Sequence, residues 1–77
     1  MKKQFKDFFS HVLKRGELTG DYRGEFILEI PDSDIREFLI CVHAYNEHEP
    51  HKMCVGIGKT DANGLTLIKA FVDIEIG

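Results

Sequence analysis

The chain has 77 residues, 43% of them hydrophobic and 30% charged, with a formal charge of −3. That length encloses one core, and the composition is that of a globular domain, neither disordered nor fibrous. The acidic balance gives no global positive field for nucleic acid, no run reaches the roughly 18 apolar residues of a membrane span, and two cysteines make no secreted disulfide framework.

Charge is uneven along the chain. Residues 1–15 hold Lys2, Lys3, Lys6, Lys14 and Arg15 against Asp7 alone, a local +4 that leaves −7 on the remainder. Such a charge dipole offers opposite-sign partners two different ends. The opening residues are not expected to act as a signal peptide, because Lys6, Asp7 and His11 interrupt the apolar run. A cytoplasmic, reducing setting with Cys41 and Cys54 as free thiols is the expectation.

In chain order, Phe5, Phe8, Phe9, Val12 and Leu13 recur at helical spacing, with the lysines opposite. The spacing predicts an amphipathic helix over 3–15 that Gly16 ends, with Lys14 and Arg15 complementing its negative end. Residues 17–24 carry two glycines and no period, so they read as a loop. Phe26, Leu28 and Ile30 then alternate with Glu25, Ile27 and Glu29, which predicts a strand over about 25–30 closed by Pro31.

Residues 34–46 admit two readings. Ile35, Phe38, Leu39 and Val42 fit a helix, with Asp34 and Glu37 as a capping box. Phe38-Leu39-Ile40-Cys41-Val42 is apolar on every side, however, and favours a central strand over about 36–45. Met53, Val55 and Ile57 alternate in a strand over about 52–58. Asp61-Ala62-Asn63-Gly64 marks a tight hairpin turn, and Ile68, Ala70, Val72, Ile74 and Ile76 give a last strand over about 65–76.

The expected fold is α+β: one domain over 1–77, an amphipathic N-terminal helix packed on one face of a four-stranded antiparallel meander. The alternative order is αβαββ, with residues 34–46 helical. In the meander Phe26, Leu28, Ile30, Phe38, Ile40, Val42, Met53, Val55, Ile57, Ile68, Val72 and Ile74 face the helix. The outer face then carries Ile27, Leu39, Cys41, His43, Tyr45 and Phe71 among Glu25, Glu29, Lys69, Asp73 and Glu75. An apolar strip that a single helix cannot cover is an interaction surface.

Motifs for chemistry are weak. Gly56-Ile57-Gly58-Lys59-Thr60 resembles the end of a phosphate-binding loop, yet Met53 stands where the first glycine belongs and no helix follows. Gly56 and Gly58 suit bulge or close-packing positions in a strand instead. Cys41, His43 and Cys54 are the best zinc ligand set, at a spacing that matches no zinc pattern. As nucleophiles the thiols have Glu37, Glu47 and Glu49 nearby, which oppose a thiolate.

The functional expectation is therefore a small non-enzymatic module without cofactor. It would bind or inhibit a protein partner, or associate with itself as a homodimer, in the manner of a phage-encoded or other viral or mobile-element antagonist of a host protein. Its contact residues are Leu39, His43, Tyr45 and Phe71 as anchors, with Glu25, Glu29, Asp73 and Glu75 as an acidic rim. A zinc or Cys/His site is the first alternative. Weak, salt-sensitive nucleic-acid binding through the basic N-terminal helix is the second.

Overall fold

The computed structural model describes residues 2–72. In order they form helix α1 (Lys3–Thr19), strand β1 (Gly24–Pro31), a 3-10 turn at Asp32–Asp34, helix α2 (Ile35–His48) and strands β2 (Met53–Thr60) and β3 (Leu65–Val72). The class is α+β, with two helices and a three-stranded antiparallel sheet rather than a four-stranded meander. No described helix is long and apolar enough to cross a membrane.

α1 buries Phe5, Phe9, Val12 and Gly16 on one stripe. It does not stop at Gly16. The left-handed terminator is Gly20, at φ 73°, whose N–H donates to the Gly16 carbonyl at 2.8 Å. Gly16 is kept for another reason: a Cβ there would overlap the ring of Tyr22, which lies over that turn. The glycine costs about 1 kcal/mol of helix propensity against alanine, and the seat it gives an aromatic ring offsets that cost.

Residues 34–46 are the larger correction. They form α2 and its entry turn, not a strand, so αβαββ is the order observed. The buried side chains are Phe38, Cys41, Val42 and Tyr45, one helical stripe. Leu39 and Ile40, which made the run look apolar on every side, are 37% and 63% exposed. Ile40 therefore leaves the expected core, as does Ile57 at 52% exposure. The capping box is also not made: the Asp34 carboxylate accepts both of its hydrogen bonds from Lys2 Nζ at 2.8 Å.

A helix between β1 and β2 is what the topology requires. The sheet order is β1-β3-β2, with β3 antiparallel to both neighbours. β1 and β2 thus run parallel on either side of β3, and parallel strands need a crossover that no short turn supplies. β2 reaches β3 through the hairpin at Asp61–Gly64. There Asp61 Oδ1 accepts from the N–H groups of Asn63 and Leu65 at 2.8 and 3.0 Å, and Gly64 takes φ 80°.

Register places Phe26, Leu28 and Ile30 of β1, Met53 and Val55 of β2, and Thr66, Ile68, Ala70 and Val72 of β3 on one face. Both helices pack there. Phe38 sits at the centre, edge-on to Phe5 with centroids 5.3 Å apart and stacked on Phe9 at 5.9 Å, while Phe9 stacks on Tyr45 at 5.5 Å. The buried Thr66 hydroxyl is satisfied by Thr60 Oγ1 at 2.8 Å. Ile74 and the rest of the expected last strand lie outside the described residues.

Candidate functional site

Because both helices share one face, the opposite face of the sheet is uncovered by any described element. Its rungs follow from the register. Glu25, Phe71 and Cys54 form one row across β1, β3 and β2, and Ile27, Lys69 and Gly56 form the next. Glu29 lies beside Leu67 in the row after that. Ile27 is 61% exposed, and Phe71 and Leu67 are half-buried.

The β2 side of this face is hollow because two of its residues lack side chains. Gly56, Ile57 and Gly58, with Leu67, Lys69 and Phe71, line a depression of about 210 Å³. The two glycines differ in kind. A Cβ on Gly58 would stand 3.1 Å from the Leu67 carbonyl oxygen, at the bulge where the ladder shifts register between Ile57 and Thr60. A Cβ on Gly56 meets nothing within 4 Å. Packing therefore does not require glycine at 56, and a strand interior is destabilised by it.

Phe71, Glu25 and Glu29 of the expected contact set stand on this open face. Asp73 and Glu75 lie outside the described residues. The placement of Leu39, His43 and Tyr45 is corrected, since all three belong to α2 on the other side of the sheet. Tyr45 is buried against Phe9, and His43 is exposed with Nε2 3.0 Å from Glu47 Oε1, one turn along the helix. Their assignment to the outer face rested on a strand's two-residue alternation, which a helix does not have.

The same change of element disperses the expected zinc set. Cys41 points into the core from α2, His43 is exposed on that helix, and Cys54 is exposed on the far face of the sheet. Among the described residues no group of three or more His, Cys, Asp or Glu side chains is placed to hold a metal. Burial, followed by the Glu37 charge, pushes the Cys41 thiol above its ordinary value, which keeps it protonated. Cys41 also lines a second concavity, of about 230 Å³ beside the end of α2, with Phe9, Ala44, Tyr45, His48 and Glu49.

The basic face of α1 is partly committed. Lys2 is paired with Asp34, while the Arg15 guanidinium donates to the Arg23 carbonyl at 3.0 Å and lies 5.5 Å from the Phe26 ring centre. Lys3, Lys6 and Lys14 are exposed.

Two features escaped sequence reasoning. One is the Tyr22 seat on Gly16, where His51 stacks on Tyr22 at 4.0 Å and 7° between planes. The other is the Gly56–Gly58 hollow, whose signal was in the sequence: glycines two apart in a strand leave one face bare. No protein family, curated protein or solved structure matches this chain.

Proposed function

We propose that this chain is a protein-binding module that takes an extended or helical segment of its partner on the open sheet face. Gly56 carries the reading. It gives up strand stability at a position with room for a side chain, and the result is a hollow beside Phe71 and Leu67 on a face that nothing described covers. Glycine in a strand interior is the residue of close approach by another backbone or ligand. Glu25 and Glu29 flank exposed Ile27 on β1, across β3 from the hollow, so the partner of matching chemistry offers an apolar side chain with lysines or arginines on the β1 side. The module then acts as an accessory or inhibitory protein that masks a basic surface, and catalysis has no part in it.

The test is selection of a random displayed peptide library on the immobilised chain. The expected outcome is enrichment of peptides with an apolar anchor flanked by basic residues, all released by Gly56→Leu, a substitution that fills the hollow and leaves the fold intact. Peptides without that pattern, or retention of the peptides by the Gly56→Leu chain, would overturn the reading.

A further inference from the structure

Hydrogen bonding fixes which way the backbone groups on the two edges of the sheet point. Asn46, in the last turn of α2, takes both groups of Met53: Nδ2 donates to the Met53 carbonyl at 2.9 Å, and the Met53 N–H donates to Oδ1 at 2.7 Å. These groups therefore face away from β3. Strand alternation turns the N–H and C=O of Val55 and Ile57 the same way. The Asn46 carboxamide stands where the backbone of one more strand would stand, and beyond it no described side chain caps the edge.

The β1 edge is defended. Alternation there turns the groups of Arg23, Glu25, Ile27 and Glu29 outward, and α1 reaches over the first and the last of them. Arg15 Nη1 donates to the Arg23 carbonyl at 3.0 Å and Gln4 Nε2 to the Glu29 carbonyl at 3.1 Å. Pro31 has no N–H, and Glu25 and Glu29 line the strand with like charge. These are the devices that keep a sheet edge from pairing. From Cys54 to Ile57 the β2 edge carries no such side-chain cap, proline or charge, and its ladder stays regular up to the bulge that begins after Ile57.

We propose that a second copy of this chain pairs on the β2 edge, antiparallel, about a two-fold axis at Gly56. The outward groups set the register. Val55 of each copy lies opposite Ile57 of the other as a hydrogen-bonded pair, and the two Gly56 residues face each other as the closely spaced pair between. Ile57, 52% exposed in the single chain, gains a β-branched neighbour across the strands. Pairing ends where Asn46 occupies the edge. There each Lys59 comes beside the carboxylates of Glu47 and Glu49 at the end of the other copy's α2. Lys52 is already bound to the carbonyls of Asn46 and Glu49 and stays out of the contact. Pattern and charge thus both fit the chain itself as occupant. The pairing uses the edge rather than the open face, so it stands or falls apart from the protein-binding reading.

Native mass spectrometry over a concentration series and a symmetric cross-link test the pairing together. Gly56→Cys, in a Cys54→Ala background, puts two thiols opposite each other at a Cα spacing of about 4.5 Å, inside the roughly 4.4–6.8 Å that a disulfide spans. The expected results are a concentration-dependent dimer of the unaltered chain and rapid oxidation of the Gly56→Cys chain to a covalent dimer. Ile57→Pro removes an outward N–H and no bond to β3, and it should return the unaltered dimer to monomer with its helical circular dichroism retained. A chain that stays monomeric at every concentration overturns the proposal. So does a dimer in which the Gly56→Cys thiols do not cross-link.

Discussion

On the helix side of the sheet, Ile30 and Ile68 are fully buried beneath an aromatic cluster; on the other side, Ile27 is 61% exposed and Gly56 presents bare backbone. The same three strands make both surfaces, and the two-residue alternation of side chains is what separates them. A chain of this size has one side's worth of helix to spend on covering its sheet. Stability is therefore concentrated in the covered layer, and the open layer adds little to it.

Substitutions that delete volume from each side test this division most severely. Phe38→Ala removes the ring around which Phe5, Phe8 and Phe9 gather and should cost about 3–5 kcal/mol, a large part of the stability of so small a domain. Ile27→Ala, on the open face, should stay within about 0.5 kcal/mol. Urea unfolding of both variants gives the ratio, and comparable losses would mean that the open face is covered after all.

A finer probe is Gly16→Ala. Alanine gains about 1 kcal/mol in an ordinary helix interior, but here its methyl group displaces the Tyr22 ring and the His51 stack with it, an overpacking cost of about 1–3 kcal/mol. The expected net effect is a small loss of stability. In a Tyr22→Ser background the same substitution should instead stabilise, and this change of sign in a double-mutant cycle isolates the ring contact from helix propensity.

The smallest effect separates the two thiols. Cys54, exposed on the open face, should react with a maleimide in the native chain, whereas Cys41 should react only after denaturation. Burial holds the Cys41 thiol above its ordinary value, so the unfolded chain releases that proton first. Its contribution to stability is intact at neutral pH and declines as pH rises through the ordinary thiol range. Equal labelling of the two cysteines in the native chain would break the contrast.

Much of the layered arrangement is legible in the sequence. Phe26, Leu28 and Ile30, and Met53 and Val55, announce their inward face by strict alternation, and Asp61-Ala62-Asn63-Gly64 announces the hairpin, with Gly64 taking the positive φ that glycine accepts most readily. α2 was harder, since Leu39 and Ile40 fill solvent-facing positions with apolar side chains and so erase the amphipathic stripe that Phe38, Cys41, Val42 and Tyr45 draw. Misreading that element moved His43 and Tyr45 to the wrong side of the sheet, while Phe71, Glu25 and Glu29, on true strands, kept their side. Gly16 was opaque for a different reason. Nothing between Arg15 and Glu17 says that a tyrosine six positions later returns to lie on it.

The position of β3 bears on how the molecule is made. It is the central strand and also the last of the described elements in chain order. During synthesis β1 and β2 emerge with no neighbour to pair with, and α1 and α2 have no completed sheet to settle on. Local helix formation comes early, but the long-range pairing waits for one late segment, which slows folding relative to an all-helical chain of equal length. A nascent chain is thus committed only when β3 has left the ribosome, and until then its unpaired strands depend on the brevity of the wait, or on a chaperone, to escape aggregation.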